Sequence, residues 1–482
     1  MTSEDFGTVV LAIGLVGLAA VLSNRLSARI RIPAPAFFLV AAAVAAELRP
    51  RAAALPIVTV QDVVTVALAI ILFDGGMHIG WRRFRAAAGP VIWAGVAGTL
   101  VTAAGATLAA RLLTGLDWRM SLLLGTAVAA TDPAVVFSVF GRREVAGRVG
   151  TLLEGESGAN DPVGIALLAA LLGASGSLGG VAGHVVGTFA LQMAVGAAIG
   201  AAGGAGLLVL MRKVPLPSEG LYSPRVLTGA LLIYGVASVA HGSGFLAVFV
   251  AGIIIGDAPA PYMKEIRRFH SSLASLAEIV AFVMLGLTVK LSGLGVAALL
   301  ALVIRPLLAG LVTLPIRMSG RERIFFLWTG LKGAVPILLG SQIAESGATG
   351  AARAYEIIFV IVGFSVTIQG GLVPALAHRL SIPLRTVEPE PWSLGVRFSE
   401  EPEGLHRYHV AAGSRADGAA IGDLPCGENV WVSIVIRDGS LLTPRDDATL
   451  RAGDDVLMLS DPENAPAIEK LFTTPVRPAD PP

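Results

Sequence analysis

Cysteine is almost absent: Cys426 is the one cysteine in 482 residues, so no intrachain disulfide can form. Charge is scarce too, at 15% of residues against about a quarter in an ordinary soluble domain. That scarcity excludes a globular enzyme held by one anchor. The chain has no His-Glu-x-x-His pair and no Walker-type lysine loop, which removes zincin chemistry and ATP-driven pumping. It also has no Thr-Val-Gly-Tyr-Gly repeat of the kind that lines a potassium filter. The net charge of +1 carries no signal for nucleic acid. Neither a nucleic-acid partner nor a cofactor is expected.

Apolar sequence is what the chain has in excess: 54% of residues are hydrophobic and the mean hydropathy is +0.73. A bilayer core takes about 20 mostly apolar residues per helix, so lipid is the expected surrounding. Runs of that kind recur to about Leu380 and predict about thirteen spans. They fall near 7–22, 34–48, 61–79, 87–112, 119–140, 147–173, 181–211, 223–241, 244–258, 271–289, 292–315, 322–342 and 355–379. The first run follows Glu4 and Asp5 and ends at Asn24 and Arg25, the reverse of a cleaved signal, and reads as a retained helix. Alternate connections hold 20 Lys and Arg residues against 6 in the other set. Since cytoplasmic loops are the basic ones, the N-terminus is expected outside and the C-terminus in the cytoplasm of a cell-membrane protein. Gly196-x-x-x-Gly200, among further glycines and alanines, permits close approach of another helix, within the chain or across a dimer seam.

Near Pro383 the composition changes. Residues 1–385 form the membrane domain, 386–394 a linker containing Glu388-Pro389-Glu390-Pro391, and 474–482 a polar tail expected to be disordered. Between them, 395–473 reads as a small β-rich α+β domain. Val430, Val432, Ile434 and Ile436 alternate as in a half-buried strand before Asp438-Gly439, and Ala452-Gly453-Asp454-Asp455 precedes a second strand. The fold class is therefore an all-α polytopic membrane protein with a small cytoplasmic domain appended.

Ionisable groups in hydrocarbon cost about 2.5–3.5 kcal/mol each on the lenient insertion scale, so each asks for a reason. They cluster. Asp74 lies in Leu-Phe-Asp-Gly-Gly, and Asp132 lies between Thr131 and Pro133. Glu154, Glu156, Ser157, Asn160 and Asp161 share one span, and Lys332 lies in Gly-Leu-Lys-Gly-Ala-Val-Pro. Pro133 removes an amide donor and biases Asp132 out of the helix, and Gly333 to Pro336 repeats the interruption near the other end of the domain. Paired interrupted helices point to a midplane ion site, where a half-helix N-terminus can be offset by the Asp132 carboxylate. Ser157 and Asp161 are four apart, as are Glu156 and Asn160, which puts both pairs on one helical face. A carboxylate that binds either a proton or a hard cation supplies all that exchange requires. Asp161 is the expected ion-binding residue. Glu156 with Lys332 is a candidate ion pair, structural or functional.

These motifs together resemble the monovalent cation:proton antiporter-1 family, NhaP type. The resemblance rests on Thr-Asp-Pro at 131–133, Glu-Ser-Gly-Ala-Asn-Asp-Pro at 156–162, Leu-Phe-Asp-Gly-Gly at 72–76 and Trp-Thr-Gly-Leu-Lys-Gly-Ala-Val-Pro at 328–336. It implies thirteen helices with inverted repeats, two crossed broken helices, a homodimer and elevator-like movement. It also implies an ion site of the Thr131 backbone, Asp132, Ser157 and Asp161, supported by Asn160, with Glu156, Lys332 and Asp74 as accessory charges. Asn160 resembles the electroneutral branch, whose electrogenic relatives carry aspartate there. Lys332 stands where many members carry arginine, and unlike arginine it can lose its proton when desolvated. The tail resembles the C-terminal domain of RCK or TrkA proteins, through Ile421-Gly-Asp-Leu-Pro425, Thr443-Pro-Arg445 and Leu450 to Asp455. That implies a pairing module with a small-molecule regulator, and it favours K+ over Na+ as the transported ion.

Two rival readings have some sequence behind them. Gly155-Glu-Ser-Gly158 and Ala240-His-Gly-Ser-Gly244 match the short motifs of rhomboid-type intramembrane serine proteases. A serine nucleophile needs a histidine base, whereas carboxylates flank Ser157, and the span count is about double the rhomboid core. The bland reading of His241 is a helix-end residue near water. An RCK-gated cation channel is the other rival, and interrupted helices bearing carboxylates suit alternating access better.

Overall fold

A computed structural model describes residues 34–48, 55–132, 143–145, 147–174, 178–288, 318–386, 405–425, 430–437, 440–460 and 464–473, with a few isolated positions besides. The chain divides into two compact units, Met1–Pro389 and Glu390–Pro482. Nearly all of the spans expected at 7–22 and 292–315, and residues 133–140 of that at 119–140, lie outside the described residues, as do Pro133 and Cys426.

The first unit is helical. Helix α1 covers Ala34–Leu48, α2 covers Ile57–Ile92, and a π turn at Trp93–Ala97 leads into α3, Gly98–Thr114. The two spans expected here are separated inside α2 by Gly80, whose φ of 67° suits glycine. The amides of Trp81 and Arg82, freed by that break, donate to the Asp257 carboxylate at 3.0 and 2.8 Å. Helix α4 is Trp118–Ala129, capped by Asp117, whose side chain accepts from the Met120 amide. Then come α5 (Gly147–Gly173), α6 (Leu178–Lys213), α7 (Tyr222–Val239), α8 (Gly244–Gly256) and α9 (Met263–Gly286). Helix α10, Gly320–Thr329, starts at a capping box of Ser319 and Glu322. It is followed by α11 (Ala334–Glu345), α12 (Ala351–Phe364) and α13 (Gly370–Arg379).

Among the described residues, four helical runs are long and apolar enough to cross a bilayer. The α10–α11 pair makes a fifth if its 42° bend lies within one span. The glycine stripe of α6 packs inside the chain. A Cβ at Gly196, Gly200 or Gly204 would press on Ser243, Ala247 or Ala251 of α8, so these glycines serve the helix pair. On one side of the unit β1 (Arg143–Val145) pairs antiparallel with β2 (Leu384–Thr386), with Glu144 opposite Arg385. That pairing ties the entry of α5 to the segment leaving α13.

The second unit holds an antiparallel sheet in the order β3-β6-β4-β5, built from Leu405–His409, Asp455–Ser460, Val430–Arg437 and Ser440–Leu442. Helix α14, Ala465–Thr473, packs on β3, and Tyr408, Val435, Val456, Met458, Ile468 and Phe472 fill the core. The alternation read at 430–436 is interrupted by a register shift between Val432 and Ile434. Asp454 is buried and accepts two hydrogen bonds from the Arg437 guanidinium, at 2.8 and 2.7 Å. Burial pushes its carboxyl up, but those bonds, the Arg451 amide and the charges of Arg437 and Arg451 outweigh it and hold Asp454 below the usual carboxylate range.

Candidate ion site

The site is built where two helices stop inside the bundle. Helix α4 ends at Ala129 because Ala130 turns extended, at φ −60° and ψ 148°. Helix α10 ends at Thr329, and α11 begins at Ala334 after an unwound stretch through Gly333. Pro336 falls in the first turn of α11, where the missing amide costs no helical bond, so the break lies just ahead of it, at 330–333. The two unwound stretches pair through the Asp132 amide, which donates to the Leu331 carbonyl at 2.9 Å.

Each stretch places a charged side chain on the other helix's open end. The Asp132 carboxylate lies against Gly333, the N-cap of α11, so closely that a Cβ there would overlap it. An anion is thus set at the partial positive end of a helix. Lys332 is buried, and its Nζ donates to the carbonyls of Ala129 and Ala130 at 3.3 and 3.0 Å, the orphan acceptors at the end of α4. Around Lys332 runs a polar brace that sequence reading missed. The Lys332 amide donates to Ser365 Oγ, which donates to Gln369 Oε1, while Gln369 Nε2 donates to the Trp328 carbonyl at 2.6 Å.

Helix α5 supplies the facing wall. Asn160, 1% exposed, accepts from the Thr131 amide at 3.2 Å and donates through Nδ2 to Thr131 Oγ1 and to Glu156 Oε1. An amide is required for this, since a carboxylate would have no hydrogen to give. Thr131 Oγ1 also lies 3.1 Å from Ser157 Oγ and 3.4 Å from Glu156 Oε2. Thr131, Glu156, Ser157 and Asn160 therefore form one network, and Asn160 is the clasp holding the broken segment to α5. Among the described residues, no histidine is a hydrogen-bond partner of Ser157. His241 sits exposed beyond the end of α7 with φ 58°.

Asp161, the next residue along, is 6% exposed, and its Oδ1 is buried with no hydrogen-bond partner among the described residues. The charges of Asp132, Glu156 and Lys332 act on it. Asp74 lies elsewhere, on α2, where it pairs with His78 at 3.3 Å and accepts from Ser271 at 3.3 Å. A further membrane carboxylate, Glu278 of α9, went unread in the sequence. The rule that an intramembrane charge needs a reason would have found it.

Known proteins agree with this architecture. The K(+)/H(+) antiporter NhaP of Alkalimonas amylolytica is 31% identical over 98% of this chain and 84% of its own length. The K(+)/H(+) antiporter NhaP2 of Shewanella sp. (strain ANA-3) is 30% identical over the same shares. The sodium proton antiporter MjNhaP1 from Methanocaldococcus jannaschii at pH 8 shares the fold with a TM-score of 0.65 at 24% identity, covering 77% of this chain and 99% of that one. The TrkA-C domain model matches residues 405–473, and the model described as sodium/hydrogen exchanger, transmembrane, matches residues 15–379. The chain belongs to the transmembrane sodium/hydrogen exchanger family, a cation/proton antiporter of the membrane and not an enzyme, with a TrkA-C domain at its C-terminal side.

Proposed function

We propose that the protein exchanges one monovalent cation for one proton at Asp161 without net charge movement, by alternating access, with K+ preferred over Na+. The observation that carries this reading is the Asp161 carboxylate. It is buried, and among the described residues its Oδ1 is left without a hydrogen-bond partner, beside a network in which Thr131, Glu156, Ser157 and Asn160 satisfy one another. A buried oxygen left open in such surroundings suits a ligand that comes and goes. With Asn160 neutral, Asp161 alone alternates between proton and cation, while Lys332 holds the end of α4 and Asp132, set at the start of α11, keeps its charge throughout. Ser157, Asp132 and the Thr131 backbone complete the oxygen set around the cation.

Potassium is favoured because the NhaP and NhaP2 relatives that span 98% of this chain carry K(+)/H(+) in their names. The Na(+)/H(+) antiporter ApNhaP of Aphanothece halophytica, 25% identical, spans 66% of it. The protein works as a homodimer in the cell membrane, N-terminus outside, with the TrkA-C domain in the cytoplasm taking a small regulator. Proteoliposomes holding a pH gradient test the reading. Potassium should collapse the gradient at lower concentration than sodium or lithium, at a rate unchanged when the membrane potential is clamped at different values. A rate that follows the potential would remove electroneutrality, and a sodium preference would reverse the selectivity.

A further inference from the structure

In an unbroken helix the Lys332 amide would donate to the carbonyl four residues back, that of Trp328. The break at 330–333 leaves that bond unmade, yet both groups have partners. The Lys332 amide donates to Ser365 Oγ at 3.0 Å, Ser365 Oγ donates to Gln369 Oε1 at 2.9 Å, and Gln369 Nε2 donates to the Trp328 carbonyl at 2.6 Å. Two side chains thus stand between the donor and the acceptor of one missing helical bond. Every hydrogen in the relay points the way that bond would have pointed.

Ser365 and Gln369 begin and end the π turn that joins α12 to α13, and they are 0% and 5% exposed. Single π turns of this kind recur at functional positions in helices. Gln369 meets Trp328 twice, because its own carbonyl accepts from Trp328 Nε1 at 3.2 Å. The next carbonyl, that of Thr329, is met locally by the Leu331 amide at 2.7 Å, whereas Trp328 takes its partner from another helix. The residue at 369 has to accept from a hydroxyl and donate to a carbonyl. A side-chain amide does both, while a carboxylate has no hydrogen to give and a thioether has none either.

We propose that Ser365 and Gln369 are positioning residues for ion exchange, which keep the chain open between α10 and α11 by standing in for the helical bond it would otherwise make. The proposal rests on the ion-site reading above and deepens it. The open stretch carries three contacts of the site. The Leu331 carbonyl accepts from the Asp132 amide, Lys332 Nζ donates to the end of α4, and Gly333 lies against the Asp132 carboxylate. Residues 329–341 are all buried, so a group that loses its partner there is not met by bulk water. Without the relay, the Lys332 amide and the Trp328 carbonyl recover a bond by joining each other. That closure winds 330–332 onto α10 and draws the three contacts away from α4.

The test uses the full-length protein in proteoliposomes at equal insertion. Wild type is compared with Ser365→Ala, Ser365→Thr, Gln369→Met, Lys332→Met, Gln369→Met combined with Lys332→Met, and Asp161→Asn. Ser365→Ala and Gln369→Met should each lower maximal cation-driven proton flux by roughly tenfold. Ser365→Thr keeps the hydroxyl and should stay within about threefold of wild type. Adding Gln369→Met to Lys332→Met should slow flux by less than about threefold further, since both changes act through the placement of residue 332. A merely structural role would multiply the two losses. Wild-type flux in Gln369→Met overturns the proposal, as does a full product of the two losses. Should Gln369→Met fail to insert, the Ser365 pair decides: flux lost with alanine and kept with threonine supports the relay, and equal flux in both overturns it. Flux that survives in Asp161→Asn would instead strike the ion-site reading, and absence of flux in the wild type would strike antiport itself.

Discussion

The two unwound stretches, at 130–132 and at 330–333, use opposite charges for one problem. A helix stopped inside a membrane exposes unsatisfied carbonyls at one half-end and unsatisfied amides at the other, with no water to meet them. Asp132 of one stretch sits at the amide end of α11, and Lys332 of the other sits on the carbonyl end of α4. Each break thus completes the other, so neither charge is spare. Asp161, one helix away, is the carboxylate proposed to alternate between proton and cation. The comparison teaches that charge in the membrane divides between groups that hold broken backbone together and a group left open.

Breaking the contact should have the largest effect. Gly333→Ala places a methyl group into the Asp132 carboxylate. A displacement of about 1 Å at a working site can cost roughly a hundredfold in rate, and a loss of that size is expected in cation-driven proton flux. Lys332→Met removes the donor to Ala129 and Ala130 and leaves buried carbonyls at about 1–3 kcal/mol each. Roughly tenfold slower exchange and a lower melting temperature should follow. Lys332→Arg keeps a donor and should stay within about threefold, which separates a capping role from a titrating one. Asn160→Asp sharpens the comparison by adding a charge without breaking a helix end. It loses the hydrogens given to Thr131 and Glu156, and should slow exchange by about fivefold.

The smallest effect on transport belongs to the second unit. Arg437→Ala should leave the cation KM unchanged while destabilising the TrkA-C domain by about 3 kcal/mol, since it strands a buried carboxylate. Because Asp454 is held below the ordinary carboxylate range, its stabilising contribution is complete above the unfolded value, near pH 4, and is lost as pH falls through the folded one. Melting of that domain between pH 6 and pH 3 should therefore show an acid-side loss that Arg437→Ala reduces, the Arg451 amide and charge remaining in place.

Intramembrane charge was the legible part of the site. Asp132 beside a proline, and Glu156 to Asp161 at helical spacing, are unusual enough in hydrocarbon to be seen in one sequence. The roles were harder to see. Asn160 was expected to support the site, but what it holds was not visible: its amide clasps Thr131, a partner 29 positions away that only the broken helix brings near. Ser365 and Gln369 carry no charge and so gave no signal. Asp257 stabilises the Gly80 break from 176 residues beyond Trp81, a contact that no local pattern can reveal. The three-residue strands β1 and β2 are too short for alternation to register.

The central claim is that Asp161 alone exchanges proton for cation, and Asp161→Asn tests it most directly. Proton flux should be followed in proteoliposomes under an imposed pH gradient, with potassium added, for wild type and for the variant at equal insertion and equal thermal stability. The account predicts that potassium collapses the gradient across wild-type membranes and leaves it standing across those of the variant. Potassium-driven collapse retained in the variant would contradict it, and would move the exchanging carboxylate away from Asp161.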